Sequence, residues 1–331
     1  TTEIYTLSLH DALPICRKGG RDYTQSRQRT IAACRRHAGV TASGGLTLYA
    51  LSPPSALFAT QGAQMDRRLA LVTGGSAGIG AAFAKIYASH GYDVALTARR
   101  ADRLERLSEE IRLGHGVETL TFAADLADPD APRMILEHLA AHGRSVDVLV
   151  NNAGYGVPGA FLESSWETHD AFLRVMLTAP TELAYRVLSG MTERRFGRIV
   201  NVASLAGLIP GSPGATLYGA VKSYLIKASQ SLHLETLDKG VHVTALCPGF
   251  TYSEFHDVND TREQISRSAP PWMWLGADEV AAAGYEAAEA NRPICVPGAP
   301  NKAIAAGVKL LPDEWALALM ASQGPRFRGK L

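Results

Sequence analysis

The chain lacks most of the features that tie a protein to metals, membranes or nucleic acid. Its 331 residues hold four cysteines, Cys16, Cys34, Cys247 and Cys295, and no two form a CxxC pair. That pattern argues against a disulfide framework or a structural zinc site and suits a reducing cytoplasm. The histidines show no metal-ligand spacing, so no metal is expected. No apolar run nears the ~20 residues needed to cross a bilayer, so no membrane span is expected. A formal net charge of +1 gives no broad basic field for nucleic acid or an acidic lipid surface.

The opening of the chain also lacks periodicity. Residues 1–65 carry basic clusters, a Ser-Pro-Pro-Ser stretch at 52–55 and no sustained helical or strand pattern. No initiating Met is present, and Met65 falls just before the first strong strand pattern. Residues 4–15 resemble translated adapter sequence. We expect 1–65 to be a non-native or disordered extension and 66–331 to carry the fold. A transit peptide is the rival reading, because residues 17–47 are rich in Arg, Ser and Thr with a single acid, Asp22.

From Arg67 onward, short apolar runs alternate with amphipathic stretches. Runs at 69–72, 93–98, 119–123, 146–150, 198–202, 241–246 and 293–296 read as strands. Between them lie helical segments such as 101–113, where Leu104, Leu107 and Ile111 share one face. A long helix is expected over 164–192, with Pro180 as a possible kink. Repeated strand–helix units predict a single α/β domain: a Rossmann-type doubly wound parallel sheet of about seven strands, helices on both faces.

The first strand runs into Thr73-Gly-Gly-Ser-Ala-Gly-Ile-Gly80. Glycine allows a tight turn and close backbone approach, and the following helix start offers free N–H groups to a diphosphate. Gly74, Ser76, Gly78, Ile79 and Gly80 are therefore expected at a dinucleotide. The spacing is GxxxGxG, not the GxGxxG of many such folds. At the end of the second strand an acid would bind the ribose 2′-hydroxyl, but the sequence reads Thr97-Ala98-Arg99-Arg100. A guanidinium can grip a 2′-phosphate with two hydrogen bonds. Arg99 thus points to NADP(H) over NAD(H); solvated helix-start charges are the rival reading, more so for Arg100.

Tyr218 and Lys222 stand four residues apart, on one helical face. A tyrosine pKa near 10 is too high for easy proton exchange at neutral pH. A nearby ammonium should lower it. Ser204 follows the strand at 198–202 and could polarise a substrate carbonyl.

Together with Asn151-Asn152-Ala153-Gly154, Asp125-Leu126 and Pro248-Gly249, these motifs resemble the short-chain dehydrogenase/reductase family over essentially all of 67–300. The resemblance implies that Tyr218 is the general acid/base, that Lys222 holds the nicotinamide ribose and tunes Tyr218, and that Ser204 orients the substrate oxygen. It places Asp125 and Leu126 near adenine, Asn152, Ala153 and Gly154 over the adenine side, and Pro248, Gly249 and Thr251 along the nicotinamide. It also implies a homodimer or homotetramer through the helices at 164–192 and 217–238. Two departures stand out. Ser204 and Tyr218 are one residue further apart than is commonest, which places an insertion near 211–216. Met176 stands where the family usually has an Asn that supports the proton relay through a water.

A flap is expected over about 250–277. Tyr155, Met176, Phe250, Phe255 and Trp272 would wall an apolar pocket for a bulky ketone, acyl chain or steroid-like alcohol. Alternatively these aromatics only pack the flap down or form a subunit contact. The leading reading is an NADP(H)-dependent carbonyl reductase working on a small molecule. A cofactor-binding protein with impaired chemistry, or an epimerase or dehydratase, is the alternative.

Overall fold

The strands form because their residues can bury both faces. In the computed structural model, which describes residues 67–157, 159–254 and 270–327, Leu69–Thr73 is β1 and every residue of it is buried. Its side chains alternate between two cores. Ala70 and Val72 face one, Leu69 and Leu71 the other. β2 (Asp93–Ala98) and β4 (Val148–Asn151) divide in the same way. A near-continuous apolar strand is the mark of a parallel sheet covered on both sides.

β3 is Thr119–Ala123, β5 is Gly197–Val202 and β6 is Val241–Leu246; β7 is Thr251–Tyr252, β8 is Leu275–Gly276 and β9 is Ile294–Cys295. Seven of the strands make one parallel sheet in the order β3-β2-β1-β4-β5-β6-β9. β7 and β8 form a separate two-stranded ladder. The fold is therefore the expected doubly wound α/β sheet. Strand order reverses between β1 and β4, and such a reversal opens a crevice at the carboxyl ends of the strands.

Helices α1 (Gly78–Ser89) and α2 (Ala101–His115) cover one face. Phe83, Tyr87, Leu104, Leu107 and Ile111 enter its core, joined by Val280 and Ala281 of α7 (Ala277–Glu289). On the other face lie α3 (Ala131–Ala141), α4 (Trp166–Leu173) and α5 (Ala179–Glu193). α6 (Thr216–Glu235) follows β5. The chain continues into α8 (Ala299–Val308) and α9 (Asp313–Phe327), which the sequence pattern did not reveal.

The long helix expected at 164–192 is interrupted differently from the expected proline kink. Between α4 and α5, Arg174–Thr178 is π-helical, and the Ala179 N–H reaches Arg174 O five residues back. Pro180, which has no N–H to give the preceding turn, sits in the first turn of α5, directly after this π-helical segment. Asn151 Nδ2 donates to Pro180 O at 3.1 Å, tying this point of the helix to the end of β4. Residues 211–215, where an insertion is expected, lie in the loop ahead of α6, and Thr216 begins the helix. Among the described residues no helix is long and apolar enough to cross a membrane. The extension at 1–65, Phe255 and most of the proposed flap lie outside the described residues.

Candidate active site

The crevice at the strand ends is a cleft of about 740 Å³. Its floor is the β1–β4 junction, held by a compact set of hydrogen bonds. Thr73 Oγ1 donates to Val150 O at 3.3 Å and accepts from the N–H groups of Asn152 and Ala153. Asn152 Nδ2 donates to Thr73 O and Gly74 O at 3.0 and 3.1 Å. Gly74 sits at φ +64°, and a Cβ there would lie 2.8 Å from Ala153 Cα. The glycine loop and the Asn-Ala-Gly turn therefore lock together.

Above this floor α1 begins with no side-chain cap and no acid in its first turn. Its first N–H groups are open to an anion, and the helix dipole favours one. Gly74, Ser76, Gly78 and Ile79 line the cleft. Gly80 does not. A Cβ there would run into Gly74 O and Asn152 Nδ2, so Gly80 serves close packing of α1 on the loop. Gly80→Ala gains up to about 1 kcal/mol of helix propensity. The clash with backbone outweighs it, at about 1–3 kcal/mol for an overpacked site. We expect a lower melting temperature and weaker dinucleotide binding, checked by thermal denaturation and a fluorescence titration.

Arg99, Asp125, Leu126, Asn152, Ala153 and Gly154 all face the cleft. Arg99 is exposed there. Arg100 is not a free helix-start charge. Its Nη2 donates to Ser76 Oγ at 3.1 Å and to Glu254 Oε2 at 3.0 Å. Arg103 Nη1 also donates to Glu254, at 2.7 Å to Oε2. Glu254 follows β7, so this clamp spans from the far rim of the cleft to the glycine loop. Nothing local marks it, because its partners are more than 150 residues away in sequence.

Ser204, Tyr218 and Lys222 meet in the same cleft. Ser204 lies two residues past β5 and caps the short turn Leu205–Gly207, its Oγ accepting from the Ala206 N–H at 3.1 Å. Ser223 of α6 donates to Gly207 O at 2.7 Å and so draws this turn onto the helix. A hydrogen bond then joins Ser204 to Tyr218. Lys222 Nζ lies 5.6 Å from the Tyr218 ring centroid and donates to Val202 O at 2.7 Å.

The electrostatics differ from the sequence expectation in one respect. Burial pushes the Tyr218 phenol above its usual pKa, and the Ser204 hydrogen bond opposes this only in part. Burial also acts on the neighbouring lysine. Lys222 is 6% exposed, and desolvation pulls its pKa down to about 8. Cys247 would help only as a thiolate, and burial pushes that thiol up to about 12.

Lys222 therefore gives a testable pH dependence. Its folded pKa lies below the ordinary value of 10.5, so between about pH 8 and 10.5 the unfolded chain binds more protons. Folding stability contributed by this group rises with pH across that window. The unfolding free energy of the wild type minus that of Lys222→Met should climb from pH 8 to 10.5 in denaturant titrations. A flat difference would contradict a depressed lysine.

Pro248, Gly249, Phe250 and Thr251 line the cleft wall, with Tyr155. Trp272 does not; it is 65% exposed. The 3₁₀ turn Pro271–Met273 rotates successive side chains apart and turns Met273 inward instead. Trp274 is buried, stacked on Phe250 and Tyr252 with centroids 5.4 and 4.9 Å away, so the aromatic run partly packs itself down. Met176 is 1% exposed and lies beneath the cleft, not in its wall. Residues that sequence reasoning missed complete the lining: Ile209, Ser212, Ala215, and Asn301, Ile304 and Met320 from α8 and α9.

Residues 68–264 match the short chain dehydrogenase family. Nodulation protein G of Rhizobium sp. (strain N33) is 36% identical over 222 residues, covering 66% of this chain and 89% of its own. A short-chain dehydrogenase from Sphingobium yanoikuyae, solved in complex with NADPH, superposes with a TM-score of 0.65 at 29% identity, covering 76% of this chain and 95% of its own. The bulky-bulky ketone specific alcohol dehydrogenase from Comamonas testosteroni superposes with a TM-score of 0.61 at 27% identity, covering 80% of this chain and 96% of its own. Sheet order, glycine loop and family match agree, and the chain belongs to the short chain dehydrogenase family.

Proposed function

We propose that the protein is an NADP(H)-dependent oxidoreductase that interconverts a carbonyl and a secondary alcohol on an apolar substrate. One observation carries this reading. Ser204, Tyr218 and Lys222 converge in the same cleft as an uncapped helix start and an exposed Arg99. The residues present fit the dinucleotide. The open N–H groups of α1 would take the diphosphate, and Asp125 and Leu126 would flank the adenine. Arg99 would hold the 2′-phosphate, and no acid ends β2 to repel it. Pro248, Gly249 and Thr251 would flank the nicotinamide. The Sphingobium relative was solved with NADPH, which favours the phosphorylated cofactor.

When bound, NADPH supplies the hydride, and the chain supplies placement and a proton. Ser204 holds the substrate oxygen beside Tyr218. Tyr218 donates its phenolic proton to that oxygen as negative charge develops on it. The Lys222 ammonium stabilises the phenolate that remains. An apolar lining of Tyr155, Val157, Phe250, Met273, Ile304 and Met320 suits a bulky ketone or acyl group. The Comamonas relative, described as specific for bulky ketones, supports that choice. We also place a homodimer or homotetramer contact on α5 and α6, where Tyr185 and Leu234 are exposed.

The test is an NADPH-oxidation screen across ketones, aldehydes and acyl substrates, run in parallel with NADH. Consumption of NADPH with an apolar ketone supports the reading. Tight NADPH binding with no consumption would mark a cofactor-binding protein without chemistry. Substrate conversion with no net consumption would mark an epimerase or dehydratase.

A further inference from the structure

Beneath the cleft lies a small void of about 10 Å³, walled by Thr73, Asn151, Met176, Pro180, Val202 and Lys222 among others. That is about the space of one water molecule. Asn151 is 5% exposed. Its Nδ2 donates to Pro180 O and, at 2.9 Å, to Asn201 Oδ1. These two acceptors fix the amide orientation, because turning it over would set oxygen against oxygen twice. Asn151 Oδ1 is then buried with no donor among the described residues.

The other polar side chains of the wall divide cleanly. Thr73 Oγ1 is fully used, with one proton given and two accepted. Met176 offers only a weak thioether acceptor. Lys222 carries three donors, of which one goes to Val202 O. A water here would accept from Lys222 and donate to Asn151 Oδ1, using one of the two remaining lysine donors and the open amide acceptor.

We propose that Asn151 is a positioning residue for Lys222, holding its ammonium behind Tyr218 through one buried water in this void. The assignment rests on the reductase reading for its catalytic meaning. It supplies a polar anchor at the place where Met176 offers none. Asn151 is itself braced, since Asn201 Nδ2 donates to Ser229 Oγ at 2.9 Å and Ser229 Oγ donates to Leu225 O at 2.6 Å. The titratable groups beside Lys222 are Tyr218 on the same helix, its ring centroid 5.6 Å from Nζ, and Cys247 after β6, and burial raises the pKa of both.

The decisive measurement is the Lys222 pKa by NMR titration of the cofactor-free protein, wild type against Asn151→Leu and Ser229→Ala. Losing the water's acceptor leaves the ammonium less solvated. Asn151→Leu should therefore lower the Lys222 pKa by roughly half a unit or more. Ser229→Ala removes a buried hydrogen bond of the same network but leaves Asn151 bonded directly to Pro180 O and Asn201, so it should leave the pKa in place. With NADPH and a ketone, the basic limb of the kcat profile should move to lower pH in Asn151→Leu, with little change in KM for NADPH. An unchanged Lys222 pKa in Asn151→Leu, or an equal shift in Ser229→Ala, would overturn the proposal. Should Asn151→Leu fail to fold, a high-resolution crystal structure of the wild type decides. A water bonded to both Lys222 Nζ and Asn151 Oδ1 supports the assignment, and a dry void sinks it. Neither the titration nor the crystal structure depends on turnover, so failure of the reductase reading would show separately as a wild type that reduces no carbonyl.

Discussion

Tyr218→Phe should lower turnover by about 10²–10⁴-fold while leaving NADPH binding unchanged. The ring stays and only the hydroxyl goes, so packing beneath the cleft is preserved. What is lost is the proton donor hydrogen-bonded to Ser204. No described neighbour can replace it. Lys222 is buried and bonded to Val202 O, and the Ser204 aliphatic hydroxyl is a far weaker acid than a phenol. The measurement is kcat with an apolar ketone beside a fluorescence titration with NADPH. Near-normal turnover would remove Tyr218 from the chemistry. A parallel loss of cofactor affinity would mean that the variant damaged the site as a whole.

Arg99→Asp should reverse the cofactor preference. A charge-assisted hydrogen bond contributes about 1.5–3 kcal/mol, and a carboxylate at this point adds repulsion of the 2′-phosphate. Since about 1.4 kcal/mol is a factor of ten, NADPH affinity should fall roughly 100-fold or more. NADH binding should hold or improve, because an acid here can accept from the ribose 2′-hydroxyl. Arg100 cannot compensate fully while Glu254 occupies its guanidinium. The ratio of kcat/KM for NADPH to that for NADH is the readout, and an unchanged ratio would remove Arg99 from the 2′-phosphate site.

Much of this was legible from residue order because it rests on local physics. Strands buried on both faces must be largely apolar, so 69–72, 146–150 and 241–246 announced themselves. A glycine loop between strand and helix needs no distant partner to be recognised. The i, i+4 pair Tyr218 and Lys222 follows from helix geometry alone. What stayed hidden depends on contacts made across the fold. The helix just after the π-helical turn at Arg174–Thr178 is tied to β4 by the bond from Asn151 to Pro180 O, a contact that no helix periodicity encodes. The Glu254 clamp joins segments more than 150 residues apart that only the folded chain brings together. Proximity of Lys222 to Tyr218 suggested a lowered phenol pKa, but desolvation, a property of the folded environment, dominates in the cofactor-free protein. Met273 replaced Trp272 in the wall because a single 3₁₀ turn sets which side chain faces in. α8 and α9 escaped because small residues and exposed apolar ones blur their amphipathic pattern; Leu317 and Leu319 are 53% and 51% exposed.

The account turns on hydride transfer from NADPH to an apolar carbonyl within this cleft. The direct test is to react NADPH carrying deuterium at both C4 positions with a bulky apolar ketone and locate the label in the product by NMR. We expect one deuterium on the carbinol carbon, one NADPH consumed per alcohol formed, and loss of both in Tyr218→Phe. Product without deuterium, or substrate altered with no NADPH consumed, would contradict the account.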